Sequence, residues 1–277
     1  MSDGEFAAVN NFDYICSFMK QVRFIYNYIL HFLTARNTKG YGIHSPYLFQ
    51  LVRYVMYDKS QYYIFPKIEN LRHNLKNDTR MLHLEDLGTG KSQNRKVSDI
   101  ATHSLKSAKY GQLLFRIINF YKAQNALELG TSLGLTTAYM ASTSKDVKCI
   151  TLEGSEEIAA IAKANFEKLQ ISNIQIVTGN IDFSLPEVLE NFEKLDFVFI
   201  DANHRMPAVY DYFEKCVNKI HDKSVFVVDD IYWSAEMEQA WGLIKQHPKV
   251  TTTMDLFQMG IVFFNSDLKK SHYKMRY

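Results

Sequence analysis

From residue 124 onward, short apolar runs alternate with helical stretches, and this alternation restricts the fold more than any other feature of the chain. The runs "NALELG", "VKCITLE", "IQIVTG", "LDFVFIDA" and "SVFVVDD" are too short for helices and lack a polar face, as strands buried on both sides do. Between them, Ile158, Ile161, Ala162, Phe166 and Leu169 share one helical face. Val209, Phe213, Cys216, Val217 and Ile220 share another, with Pro207 near the helix start. Strand and helix at this spacing predict a parallel sheet covered on both sides. After the last helix, "SAEMEQAWGLIKQ", the runs "KVTTTMDLF" and "GIVFFN" are separated only by a short turn around Gln258. A parallel return needs a long crossover, so these two must be antiparallel. The fold class is α/β, a mostly parallel sheet ending in a hairpin.

Residues 1 to about 122 have a different texture. Ser45 and Pro46 are an N-cap and first helical residue for "YLFQLVRYVMY", and "SAKYGQLLFRIINFY" reads as another helix. Residues 58 to 106 are polar and poorly periodic without Gly/Ser or Pro enrichment, which suggests a cap rather than a linker. Near the start, Ile15, Phe18, Met19, Val22, Tyr26, Ile29 and Leu33 form an amphipathic stripe expected to pack against the body or a partner. Lys20 and Arg23 interrupt that segment and argue against a membrane span. With 47% apolar and 14% aromatic residues the chain has material for a large core, and a net charge of +2 argues for neither nucleic acid nor membrane. Cys16, Cys149 and Cys216 are odd in number and lack metal-ligand spacing, which fits free thiols in a reducing cytosol. No signal-peptide pattern stands at the start, so a cytoplasmic location is expected.

Two glycine-bearing stretches compete as a cofactor loop. "EDLGTGKSQNRK" contains GTGKS, but Glu85 stands where a phosphate-binding loop has its first glycine, and no amphipathic helix begins at Ser92. It reads as a turn in the cap. "ALELGTSLGLTT" instead follows a strand and opens a helix after Gly134, and Gly130 would let a cofactor approach the backbone. Ser132 and Leu135 occupy the second and third glycine positions of a dinucleotide fingerprint, so that pattern is not met. Glu153 ends the next strand, either as a hydrogen-bond acceptor for a ribose diol or as an ordinary surface acid, and NAD proteins carry an acid there too. Gly179, Asn180 and Ile181 end the third strand and are positioned to border an adenine.

Three acids end the following strands: Asp201 in "FIDANH", then Asp229 and Asp230 in "VVDDIYW". Parallel strand tips open on one edge, where clustered carboxylates repel unless a cation joins them. The plainer alternative makes Asp230 a cap for the helix near Ser234 and leaves Asp201 to orient backbone. Tyr232 and Trp233 follow the acids, either to stack on a flat acceptor or, in the case of Trp233, to fill core.

Taken together, "LELGTSLGLTT", "ITLEGSEE", "VTGNIDFSLPEVL", "LDFVFIDANH" and "VVDDIYWS" resemble the class I S-adenosylmethionine-dependent methyltransferases. They are most similar to the catechol and caffeoyl-CoA type of O-methyltransferase. The resemblance runs over about residues 105 to 265, dividing the chain into an extension and cap (1–104) and a methyltransferase domain (105–277). It implies a Rossmann-like seven-stranded sheet whose last strand is antiparallel. It also implies S-adenosylmethionine as cofactor, with Glu128, Gly130, Thr131, Ser132, Gly134 and Thr136 on its methionine side, Glu153 and Gly154 at the ribose, Gly179, Asn180 and Ile181 at the adenine, and Asp201 alongside. Metal ligands fall at Asp201, Asp229 and Asp230, the last usually asparagine in that family, with Mg²⁺ or a related dication implied. His204 stands where the family generally has a catalytic lysine, and histidine is a competent base near neutral pH. Expected is methyl transfer to a hydroxyl of a small aromatic or vicinal-diol acceptor, with Asp201 and His204 as catalytic residues and Tyr232 and Trp233 on the substrate. The resemblance leaves a homodimer open. Methylation of a hydroxylated RNA base is an alternative, motivated by the basic stretches "RHNLKNDTR", "KSQNRK" and "KKSHYKMRY". A non-catalytic S-adenosylmethionine-binding or partner-binding protein is the other.

Overall fold

The computed structural model describes residues 19, 21–85 and 92–277. Residues 21–34 form helix α1, followed by α2 (Pro46–Leu51), α3 (Ile64–Lys76), a hairpin of β1 (Met81–Glu85) and β2 (Ser92–Lys96), α4 (Val97–His103) and α5 (Ala108–Tyr121). The alternating part follows as β3 (Asn125–Leu129), α6 (Leu135–Ala141), β4 (Lys148–Glu153), α7 (Glu156–Leu169), β5 (Ile174–Thr178), α8 (Ile181–Glu190), β6 (Phe197–Ile200), α9 (Met206–Val217), β7 (Val225–Asp229) and α10 (Ala235–Gln246). It closes with β8 (Thr252–Asp255), β9 (Met259–Phe263) and β10 (Ser271–Lys274). Each apolar run named above is a strand.

The main sheet has the order β10-β8-β9-β7-β6-β3-β4-β5, with β9 antiparallel to both neighbours. The mostly parallel sheet and its terminal hairpin are borne out. One strand is added: the basic tail pairs as β10, parallel to β8. Its Met275 is buried, and the Arg276 guanidinium lies 4.0 Å from the centre of the Phe32 ring, so these tail residues are engaged within the fold.

Both faces of the sheet are apolar because successive strand residues point to opposite sides. Ala126, Phe197, Phe199, Val225 and Val227 pack under Leu113, Leu114, Ile117 and Ile118 of α5. Their neighbours Leu127, Val198, Ile200, Phe226 and Val228 pack with Leu185 of α8, Phe213 of α9 and Trp241 of α10. The free thiols Cys149 and Cys216 are buried in these layers, while Cys16 lies outside the described residues.

Two expectations about the N-terminal part need correction. Residues 58–106 are more regular than their polar composition suggests. Ile64, Phe65, Ile68, Leu71 and Leu75 of α3 cluster with Leu82, Leu84, Val97 and Ile100, and reach Phe115, Tyr139 and Phe166 of the body. The helical period is present there but is diluted by charged residues such as Arg72, whose guanidinium is held by Glu69. In α1 the apolar stripe does not pack against the body, so of the two expected seats, body or partner, the first does not hold. Met19, Val22, Tyr26, Ile29 and Leu33 are exposed, whereas His31 and Ala35 are buried. Aromatic and polar contacts hold that orientation: Phe24 and Tyr28 meet the Phe257 ring, His31 Nδ1 lies 3.3 Å from Asp255, its Nε2 bonds the Met275 carbonyl, and Arg23 pairs with Glu238. Ile15 and Phe18 lie outside the described residues. Ser45 caps α2 with its side chain and Pro46 follows, as expected. The GTGKS segment falls mostly outside the described residues, but Ser92 opens β2 where a phosphate loop would open a helix.

Candidate active site

Strand order reverses between β3 and β6: the chain runs outward through β4 and β5, then crosses back. The carboxyl ends flanking such a switch form a natural crevice. Gly130 follows β3 with φ of +99°, and a Cβ there would sit 2.1 Å from the carbonyl oxygen of Asp201, which follows β6. Only glycine permits that approach. Beneath the turn, Glu128 is fully buried and accepts from the hydroxyls of Thr137 and Thr151, and burial pushes its carboxyl up to about 8. The Thr131 hydroxyl bonds that of Thr151, extending this buried network.

A cleft of about 320 Å³ opens over the switch. Of the residues expected around a cofactor, Gly130, Ser132, Glu153, Gly154, Ile181 and Asp201 line it. The others stand behind these. Glu128 and Thr131 are buried below, and Gly134 backs onto Phe166, where a Cβ would lie 2.6 Å from the ring. Thr136 is half-buried on α6, Asn180 caps α8 through the Asp182 amide, and Gly179 adopts φ of +127° with open space around it. Glu153 accepts the amide protons of Ser132 at 2.8 Å and Ser155 at 3.0 Å, one on each oxygen. Each oxygen retains a further lone pair for a diol. Burial raises its pKa despite those bonds.

A second cavity, of about 470 Å³, adjoins the cleft and shares Ser104, Asp201 and His204 with it. Phe24, Tyr232, Trp233 and Phe257 give it aromatic walls. Tyr232 is fixed by a stack on Phe257 at 5.2 Å and a hydrogen bond to Asp255, while Trp233 is 62% exposed, so the core alternative for it does not hold. His204 Nε2 lies 3.7 Å from Asp201 Oδ1. Burial pushes the Asp201 carboxyl up, opposed by the nearby Lys106 and His204 charges. Asn203, His204 and Asp230 all have left-handed φ values, of 66°, 51° and 51°, a conformation that costs non-glycine residues and clusters at functional sites. Helix α10 is capped by Ser234 itself, which frees Asp230 from the capping role weighed above.

The cation question turns on a residue the sequence did not flag. Lys106 Nζ sits 2.5 Å from Asp229 Oδ2 and 2.8 Å from Asp230 Oδ1. Asp229 is fully buried, and the contact is an ion pair rather than an aligned hydrogen bond. Among the described residues, the three atoms close enough to share an ion belong instead to Asp201, His204 and Asp230, within 4.8 Å of one another. A dication held by Asp201, Asp229 and Asp230 therefore does not fit the residues present, because an ammonium already bridges two of the three. Lys106, like Ser104 and His103 around the two cavities, comes from the polar segment 58–106 and carried no motif, while Arg95 belongs to the basic stretch KSQNRK.

Residues 127–231, from β3 through the end of β7, match the family model described as a methyltransferase domain. Over that stretch the chain is similar to methyltransferase domains. The resemblance read from the five motifs is borne out. A catechol O-methyltransferase of Niastella koreensis is 32% identical over 128 residues, covering 45% of this chain and 57% of that protein. The O-methyltransferase imqG of Aspergillus flavus is 30% identical over 122 residues, covering 42% of this chain and 49% of that protein. The chain thus spans about half the length of the curated relatives it matches. Among solved structures, an O-methyltransferase from Bacillus cereus in complex with SAH superposes with a TM-score of 0.52 at 20% identity, over 76% of this chain and 94% of that one. At that identity the likeness concerns the fold, which this chain shares. Among the described residues no helix is long and apolar enough to cross a membrane.

Proposed function

We propose that this chain is an S-adenosylmethionine-dependent O-methyltransferase acting on a hydroxyl of a small aromatic acceptor. The observation that carries the reading is the junction of two cavities at Asp201 and His204, one over the Gly130 turn and one with aromatic walls. The missing Cβ at Gly130 and the free lone pairs of Glu153 suit a nucleoside in the cleft. When bound, S-adenosylmethionine would be held by the Gly130 turn and Glu153 and would supply an electrophilic methyl carbon with a neutral thioether as leaving group. The chain's part is alignment and proton removal. Trp233 and Tyr232 orient a flat ring, and His204 faces the shared edge, where its Nε2 takes the hydroxyl proton with Asp201 positioned to stabilise the imidazolium. The relatives' names support oxygen as the methyl acceptor.

Purified chain incubated with methyl-labelled S-adenosylmethionine and a panel of phenols, catechols and aliphatic diols tests this. Label is expected on an aromatic oxygen, with His204→Ala lowering kcat by about 10²-fold or more while cofactor affinity holds. Transfer to none of these, or full activity in His204→Ala, would refute the assignment as stated.

A further inference from the structure

The family resemblance implies a divalent cation, yet the acids carry a side-chain cation of their own. We infer that Lys106 is the resident cation of this site: its ammonium, clamped between Asp229 and Asp230, takes the place of a metal ion and excludes one. The inference rests on reading the adjoining cavity as the acceptor chamber.

The geometry supports this in three ways. The ammonium touches both acids, at 2.5 Å and 2.8 Å, and its side chain is only 13% exposed, so water screens the pair poorly. Asp229 is fully buried and neither of its carboxylate oxygens has a hydrogen-bond partner, which leaves the Lys106 charge as its compensation. An ion seated on Asp201, His204 and Asp230 would share Asp230 with Lys106, placing two cations a few ångströms apart. An ammonium has three N–H groups. One is donated to Asp230 and the charge faces Asp229, which leaves N–H capacity for the cavity that Lys106 lines, where an acceptor oxygen would gain charge. Lys106 would then do by hydrogen bonding what a Lewis acid does elsewhere, holding the developing oxyanion in place. His204 remains the proton acceptor, so the two roles fall to separate residues.

Mn²⁺ titration of the full chain, followed by the electron paramagnetic resonance signal of free Mn²⁺, tests the exclusion without reference to turnover. Wild type is expected to leave millimolar Mn²⁺ free. Lys106→Met should bind one Mn²⁺ at least about tenfold more tightly than wild type, because the repelling charge is gone and the acids are released. Lys106→Arg keeps the charge and should behave as wild type. If Lys106→Met does not fold, Lys106→Gln, which retains a donor toward the acids, replaces it. Stoichiometric uptake of Mn²⁺ by wild type would overturn the inference, as would equal affinity, tight or absent, in wild type and the neutral variant. Equilibrium dialysis with labelled S-adenosylmethionine on the same samples separates the two readings. Absence of cofactor uptake by folded wild type strikes the proposed function, whereas the Mn²⁺ comparison strikes only the role of Lys106.

Discussion

Substituting Gly130 by alanine tests whether the two central strand tips meet as closely as the structure has them. The added Cβ would lie 2.1 Å from the Asp201 carbonyl oxygen, while ordinary contact begins near 3.4 Å, so β3 and β6 must separate at their ends. A side chain at φ of +99° adds about 1–2 kcal/mol of conformational strain. Gly179 is the internal control: its φ is +127°, but nothing lies within 4 Å of an added Cβ, so Gly179→Ala carries the strain alone. Backbone oxygens packed into a sheet move only with their strands, and the clash should raise the total for Gly130→Ala to about 3–5 kcal/mol. For a chain of this size that corresponds to a fall in melting temperature of about 6–10 °C, against about 2–4 °C for Gly179→Ala. Scanning calorimetry reads the difference. Titration with S-adenosylmethionine should also show Gly130→Ala at least about tenfold weaker, since the displaced groups line the cleft. Equal melting temperatures in the two variants, with unchanged cofactor affinity in Gly130→Ala, would refute the close approach and the cleft built on it.

Two further outcomes follow from the buried acids. Glu153→Ala removes a charged acceptor from the cleft and should weaken S-adenosylmethionine binding by about tenfold or more; unchanged calorimetric affinity in a folded variant would exclude the ribose role. For Glu128, the folded-state pKa of about 8 stands above the ordinary 4.5, so the folded chain holds the proton more tightly than the unfolded one. That contribution is complete below about pH 4.5 and is lost as the pH rises through about 8. Glu128→Gln has no proton to release, and its unfolding free energy in urea should decline less than that of wild type between pH 5 and 8, roughly the interval between those pKa values. Parallel curves would show that the folded chain does not hold the Glu128 proton above its ordinary range.

The sheet was legible because its strands are buried on both sides. A run such as Phe197 to Ile200 has no polar option at any position, so composition alone marks it. The tail strand was missed for the opposite reason. Ser271, His272, Tyr273 and Lys274 pair only with β8 at the sheet edge, and their side chains keep partial exposure, which leaves a basic, aromatic sequence with no strand pattern. In α1 the apolar stripe did not mark the face that packs on the body. Hydrophobic period measures the total apolar content of a surface, whereas this helix is seated by Phe24 and Tyr28 on Phe257 and by a contact between His31 and Asp255, residues 224 positions apart.

The site divides along the same line. Glu153 and Asp229 end strands and Gly130 and Asp201 directly follow other strands, and in a parallel sheet the end of a strand is also a place in space, so their convergence could be reasoned from order alone. Lys106 has no such address. It sits between α4 and α5, and its meeting with Asp229 joins positions 123 residues apart through the packing of the cap on the sheet. Neither its neighbours in sequence nor its residue type distinguishes it from exposed lysines. Yet a single charge at that point decides whether three carboxylates make a seat for a dication or a finished ion pair. The strand tips set what can bind over the switch point. The chemistry beside it is then determined by a side chain delivered from the cap, which is why acids spaced as in a metal-dependent family do not by themselves establish a metal-dependent site.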